Sequence, residues 1–257
     1  MVATLPCPAV TDPSALQLVF LAGAALLAGA INAIAGGGSL ISFPALLAVG
    51  YPSVTANVTN LVALVPGYAG GTAAYREQLR GQGGRVRALG ATSALGAAAG
   101  TTLLLNTSSA SFDAVVPGLV LLACLLLAVQ PVLTRVIAGR APGWTVHALI
   151  FVAAIYGGYF GAGLGIMLLA VLAAALADDL QRLNALKGAL SLVVAVVSAV
   201  AVGLFGPVAW GPAAVMAVAS VVGGVVGARI AQRLPAGALR WGVVAYGVVL
   251  AVVLALR

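Results

Sequence analysis

Long apolar runs, separated by short stretches that contain glycine, proline or charged residues, fill nearly the whole chain. The runs fall at 14–35, 39–50, 54–75, 88–105, 114–134, 144–161, 164–177, 184–205, 208–230 and 237–256. A helix that crosses a bilayer needs about 20 apolar residues, and eight of the runs are long enough. The second and seventh runs are shorter, and each follows a Gly-rich break. The pattern predicts an all-α polytopic membrane protein with about ten transmembrane segments, two of them short.

The composition agrees with a lipid environment. The chain has 257 residues, of which 63% are hydrophobic and 7% are charged, whereas an ordinary soluble domain carries roughly 25% charged residues. So few charges cannot cover a folded surface in water, and we therefore predict a single integral membrane domain over residues 1–257. The net charge of +7 comes from basic residues spread over short loops. Such spacing is unlike a nucleic-acid-binding tract, so no nucleic-acid partner is expected.

The arginines predict how the chain is oriented, because short cytoplasmic loops are enriched in positive residues. Most of them lie in or beside the loops after the third, fifth and ninth segments, at Arg76, Arg80, Arg85, Arg87, Arg135, Arg140, Arg229, Arg233 and Arg240. Placing all three loops in the cytoplasm requires ten crossings, with both termini on the outer side. Alternatively, the two short segments dip into the membrane and return, which gives eight spans and two re-entrant hairpins.

The two halves of the chain correspond in their order of elements. Repeat one covers approximately 14–134 and repeat two approximately 144–256. Each contains a full-length segment, a Gly-rich break, a short segment and then a segment that opens with an asparagine, Asn57 or Asn184. Five crossings separate corresponding elements, and because this number is odd, we predict two inverted five-helix repeats.

The breaks and the polar residues near them are the candidates for a substrate site. Backbone without helical hydrogen bonds is tolerated at membrane depth where it lines a cavity, and inverted-repeat transporters bind substrates at interrupted helices. The candidates at the breaks are Gly36, Gly37, Gly38, Ser39, Gly161, Gly163 and Gly165, and the polar candidates are Asn32, Asn57, Thr59, Asn60, Asn184 and Lys187. The glycines at Gly96, Gly100, Gly223 and Gly227 instead predict close contacts between helices.

Lys187 is the only lysine of the chain and lies about one turn inside the eighth segment. Either its long stem reaches back to the inner membrane interface, or its ammonium faces a cavity and offers positive charge to an anion. Asn184 and Ser191 lie on the same helical face, which favours the cavity.

No carboxylate falls in the central part of any segment, and no metal-ligand cluster or nucleophile–base pair is recognisable. We therefore expect neither an enzyme nor a bound cofactor or metal.

Several stretches resemble the signatures of the sulfite exporter TauE/SafE family of permeases. They are NAIAGGGSLISFP at 32–44 and ANVTN at 56–60 in the first half, and GGYFGAGLG at 157–165, LNALK at 183–187 and GGVVGAR at 223–229 in the second half. The resemblance extends from about Leu18 to Arg240. Leu164 departs from it, because many repeats of the family have another glycine there, so the two breaks are expected to differ in shape.

The resemblance implies a secondary transporter of a bacterial-type cytoplasmic membrane. Its substrates would be small anions, most of them sulfur-containing, such as sulfite, sulfonates or sulfoacetate, moved by alternating access. Backbone amides at the breaks would hold the anion, asparagine and threonine side chains would orient it, and Lys187 would offset its charge. An anion channel and a non-transporting membrane scaffold are the alternatives. The expected partners are the anion and the lipid bilayer, and a homo-oligomer is compatible with the sequence.

Overall fold

The computed structural model describes residues 13–136 and 143–232, with side chains in 13–125 and 143–232. The described chain is folded into helices in the order α1 (Ala15–Ile34), α2 (Ser39–Val49), α3 (Ser53–Ala63), α4 (Val65–Ala74), α5 (Gly83–Leu105), α6 (Ser109–Val136), α7 (Gly143–Tyr159), α8 (Leu164–Ala175), α9 (Leu180–Phe205) and α10 (Trp210–Ala231). The tenth predicted segment, 237–256, lies outside the described residues.

The predicted segments in the described part of the chain coincide with helices, with one difference in the third. That segment, 54–75, consists of two helices, α3 and α4, which meet at Leu64. Pro66 accounts for the interruption, because proline has no backbone N–H to donate to the carbonyl of Val62. Leu64 itself keeps right-handed helical angles, so the interruption is local.

Four of the described helices, α1, α5, α9 and α10, are long and apolar enough to cross a membrane. They contain 20 to 26 residues, which corresponds to about 30–39 Å of helix. The short helices α2 and α8 contain 11 and 12 residues, or about 16–18 Å, which is about half of a bilayer's hydrocarbon core. These lengths and the apolar composition are compatible with a multi-pass membrane protein that contains short as well as full-length helices.

Glycines allow two helix pairs to pack closely, α1 against α10 and α5 against α7. Gly223 and Gly227 of α10 face the backbone of α1, and Gly96 and Gly100 of α5 face the backbone of α7. A Cβ atom on Gly100 would collide with the backbone carbonyl of Ile155. The predicted close contacts at these four glycines are therefore confirmed, and they follow the small-xxx-small spacing that lets membrane helices approach.

The two halves of the chain correspond in their main helix contacts. In this correspondence α1, α2, α3–α4 and α5 of the first half match α7, α8, α9 and α10 of the second half, in that order. The contact of α1 with α10 matches that of α7 with α5, and the contact of α4 with α10 matches that of α9 with α5. Within each half, α2 packs on α1 and α3, as α8 packs on α7 and α9. The described halves thus share one packing plan.

Hydrogen bonds join the end of the α4–α5 linker and the first turn of α5 to the turn before α9 and the first turn of α9, at one end of the bundle. Arg85 and Arg182 both donate to the carboxylate of Asp178, and Gln82 Nε2 donates to the Arg182 carbonyl at 3.0 Å. The hydrogen bond from Arg85, the backbone amide of Asp179 and the charge of Arg182 all lower the pKa of Asp178 below its ordinary value. The arginine-rich region at 76–87 and the turn before α9 therefore lie at the same end of the molecule.

Candidate substrate site

The two Gly-rich breaks lie against each other. A Cβ atom on Gly36 would be 2.7 Å from the Cα atom of Gly165, and a Cβ atom on Gly165 would be equally close to Gly36. Gly36 and Gly161 have φ angles of +89° and +80°, a left-handed conformation that glycine adopts without steric cost. Gly163 is also left-handed, whereas Gly38 is right-handed, so the breaks differ in local shape.

Asn32, near the end of α1, holds the first break in place. Its side-chain Oδ1 accepts a hydrogen bond from the Gly38 amide at 2.7 Å. Its backbone carbonyl accepts a hydrogen bond from Lys187 Nζ at 3.1 Å. Both groups are buried, and the asparagine therefore ties the first break to α9.

Lys187 lies eight residues beyond Asp179, the N-cap of α9, which corresponds to about 12 Å along the helix axis. The residue is 2% exposed. In the described part of the chain the salt bridges are those of Asp178, so the Lys187 ammonium faces no carboxylate there. A lysine reaching back to the membrane interface would expose its ammonium at the surface of the protein. The observed burial favours the cavity-facing interpretation.

Two small cavities adjoin the breaks, and we name them after one residue of each. The Lys187 cavity is lined by Asn32, Ala33, Gly67, Tyr68, Gly71, Thr72, Tyr75, Asn184, Lys187, Gly188 and Ser191. The Asn60 cavity is lined by Ser39, Asn60, Leu61, Leu64, Tyr68, Gly157, Gly161, Leu164, Ser191, Val194 and Ala195. Tyr68 and Ser191 border both, so the two cavities are neighbours. None of the described residues that line them carries a carboxylate.

The free volumes of these cavities are about 20 Å³ and 10 Å³. A buried water needs roughly 10–15 Å³ of such volume. Each cavity therefore has room for about one water molecule, which is too little for a sulfur oxyanion. The described conformation is closed around the site.

Several buried polar atoms at the cavities lack a hydrogen-bond partner among the described residues. They are Asn60 Nδ2, Thr72 Oγ1, Asn184 Oδ1 and Ser191 Oγ. A buried polar atom without a partner costs about 1–3 kcal/mol, so proteins seldom leave one unsatisfied. Four such atoms around two adjoining cavities indicate that a polar molecule bound in the cavities, either water or a substrate, completes their hydrogen bonds.

The sequence-predicted candidates separate into two groups. Six of them line the cavities, namely Asn32, Asn184 and Lys187 in the first and Ser39, Asn60 and Gly161 in the second. Gly36, Gly37, Gly38, Gly163 and Gly165 form the backbone of the breaks beside the cavities.

Asn57 and Thr59 also lie outside the two cavities. The side-chain Nδ2 of Asn57 donates to the backbone carbonyl of Tyr159 at 2.9 Å. The Thr59 hydroxyl accepts a hydrogen bond from the amide of Ala209, the N-cap of α10, at 3.0 Å. Both side chains thus bind backbone groups of the second half and hold the two halves together.

Sequence reasoning missed the wall that α4 contributes. Tyr68, Gly71 and Thr72 of α4 and its C-cap Tyr75 follow one another at helical spacing, and all four line the Lys187 cavity. The hydroxyl of Tyr75 accepts a hydrogen bond from Asn184 Nδ2 at 2.8 Å. The helical spacing of the hydroxyl-bearing residues Tyr68, Thr72 and Tyr75 was the signal that the sequence offered.

Comparison with known families agrees with the resemblance seen in the sequence. The family model for the sulfite exporter TauE/SafE family matches residues 21–254, nearly the whole chain. The chain belongs to the TauE/SafE family. No curated protein and no solved structure matches it. As a TauE/SafE member with long apolar helices, the protein is a membrane transporter of the permease class.

Proposed function

We propose that this TauE/SafE protein is a secondary transporter of a small anion, a sulfur oxyanion or an organic sulfonate, in a bacterial-type cytoplasmic membrane. One observation carries the proposal. In the described part of the chain, a lone buried lysine and four unpartnered polar atoms converge on two neighbouring cavities that no carboxylate lines. Such a site is positively charged and rich in hydrogen-bonding groups, which suits an oxyanion.

Each cavity residue has a role in this proposal. Lys187 offsets the charge of the anion, and its ammonium exchanges the Asn32 carbonyl for a sulfonyl oxygen. Asn60 Nδ2 and the hydroxyl of Ser191 donate hydrogen bonds to the remaining oxygens. Asn32 and Asn184 are positioning residues, because their side chains already bind the first break and Tyr75.

We further propose ten crossings in two inverted repeats, 14–134 and 144–256. The matched helix contacts support this arrangement, since each half uses the same elements to contact the other. Asn57 and Asn60 are three residues apart on α3, as Asn184 and Lys187 are on α9. Lys187 is then the counterpart of Asn60, and the two occupy neighbouring cavities. Inverted repeats can exchange conformations, which is the basis of alternating access.

The closed conformation fits such a cycle as an intermediate between the two open states. For an anion to enter from the cytoplasm, α4 and α9 must separate, because they form opposite walls of the Lys187 cavity. Arg85, in the first turn of α5, donates to Asp178 just before α9, and Gln82 of the linker after α4 donates to the carbonyl of Arg182 in α9. We propose that the contact with Arg85 breaks when the cavity opens inward.

A reconstituted transport assay tests this function. We expect proteoliposomes to take up labelled sulfite or a sulfonate with a saturating rate, and we expect unlabelled anion inside the vesicles to accelerate the uptake. An anion channel would show neither saturation nor acceleration, and a scaffold would give the flux of protein-free liposomes. Sulfate, thiosulfate, taurine, sulfoacetate and small carboxylates, added as competitors, identify the preferred class.

Cysteine labelling tests the proposed orientation. Gly84 and Ser109 are exposed, and a Cβ atom on Gly84 would meet nothing within 4 Å. In a background with Cys7→Ser and Cys124→Ala, we expect a membrane-impermeant maleimide to label Ser109→Cys in intact spheroplasts. It should label Gly84→Cys only after permeabilisation. The reverse pattern would contradict the placement of the arginine-rich loops in the cytoplasm.

A further inference from the structure

A third cavity, distinct from the Lys187 and Asn60 cavities, lies between the end of α4 and the end of α10. Its volume is about 450 Å³. Small and apolar residues of both helices, among them Gly70, Ala73 and Val225, form its floor, and Arg76 and Arg229 lie at its polar end. Under the proposed orientation this end faces the cytoplasm. The cavity is therefore positioned at the inner membrane interface.

Arg76 and Arg229 have no counter-ion among the described residues. Both side chains are exposed, and in the described residues neither takes part in an ion pair or a side-chain hydrogen bond. Arg85 and Arg182, at the same end of the bundle, instead share the carboxylate of Asp178. Arg76 and Arg229 contribute two positive charges to the third cavity and Glu77 contributes one negative charge, so its described lining has a net positive charge.

Two further features of the third cavity indicate which chemical groups its ligand carries. Gln78 also lines the cavity, and its Oε1 atom is buried without a hydrogen-bond donor among the described residues. Beside the arginines, α10 exposes an apolar strip of Val222, Val226 and Ile230, which are 50%, 43% and 37% exposed. A fitting ligand therefore has a phosphate-like anionic centre, hydroxyl donors next to it and a hydrocarbon chain.

We propose that this cavity binds an anionic phospholipid with a hydroxylated headgroup, of the phosphatidylglycerol type. Its phosphodiester lies between Arg76 and Arg229, because guanidinium groups bind phosphate oxygens in a planar, two-bond geometry. A headgroup hydroxyl donates to Gln78 Oε1, and an acyl chain follows the apolar strip of α10. Basic pockets between transmembrane helices on the cytoplasmic side commonly bind anionic lipid headgroups. The lipid would bridge α4 of the first half and α10 of the second.

The test is thermal unfolding of the full-length protein in detergent with three added compounds. Phosphatidylglycerol should raise the apparent Tm by about 3 °C or more, because a ligand of the folded state stabilises it. Phosphatidylcholine and glycerol 1-phosphate should leave the Tm unchanged. The double variant Arg76→Gln/Arg229→Gln should lose the shift, whereas Arg87→Gln, which removes an exposed arginine outside the cavity, should keep it.

Further variants, and the two control compounds, show which results would contradict lipid binding at this cavity. Both arginines are exposed, so the double variant should have nearly the wild-type Tm without lipid, and Arg76→Lys/Arg229→Lys should keep part of the shift. An equal shift with phosphatidylcholine would overturn the proposal, and so would a full shift in the double glutamine variant. Stabilisation by glycerol 1-phosphate alone would assign the cavity to a soluble phosphate compound instead.

Discussion

Lys187→Met should lower the rate of anion uptake by about 100-fold or more while the protein still folds. Methionine has nearly the length of lysine and fills the same space, but it has no charge to offset that of the anion. A buried ion without a partner costs several kcal/mol, and about 2.7 kcal/mol already corresponds to 100-fold. The measurement is the initial uptake rate in proteoliposomes that contain equal amounts of reconstituted protein.

Two variants serve as controls for this result. Arg87→Met removes an exposed positive charge outside the cavities and should transport at the wild-type rate. Lys187→Arg keeps the charge and should retain more transport than Lys187→Met, although the larger guanidinium fits the small cavity poorly. Wild-type uptake by Lys187→Met would contradict the role assigned to this lysine, and it would move the anion site away from the Lys187 cavity.

Much of the fold follows from the sequence, because the bilayer imposes a simple length rule. The apolar runs predicted the helices, and the glycines at 36–38 and 161–165 predicted where the chain breaks. The split between α3 and α4 at Leu64 was not foreseen. Pro66 is its cause and is visible in the sequence, but the apolar run continues past this proline. A hydropathy pattern does not show that a residue lacks a backbone N–H donor.

The site could be predicted only in part, since spacing along a helix does not tell which neighbour each face meets. Lys187 and Asn184 were recognisable as polar residues on one face. That Tyr68 and Thr72 form the opposite wall depends on how α4 packs on α9, which is a long-range property. Thr59 could equally well have faced a cavity, yet its hydroxyl binds the N-cap of α10.

The breaks themselves depend on a contact that only the three-dimensional structure reveals, and Gly36→Ala should disrupt it. The substitution combines two penalties. A left-handed φ angle costs a residue other than glycine about 1–2 kcal/mol, and the new Cβ atom would lie 2.7 Å from the Gly165 backbone. Neither backbone can move without displacing α2 or α8. We expect little folded protein, or an apparent Tm lowered by about 10 °C or more, in thermal unfolding of the purified variant.

Two matched variants separate the penalties. Gly50 is also left-handed, with φ +104°, but a Cβ atom there meets nothing within 4 Å, so Gly50→Ala reports strain alone. Gly165 lies in α8 without a left-handed angle, so Gly165→Ala reports the collision alone. Gly50→Ala should lower the Tm by only a few degrees, and Gly165→Ala should lower it more. If Gly36→Ala has the same Tm as Gly50→Ala, and Gly165→Ala has the Tm of the wild type, the two breaks are not in contact.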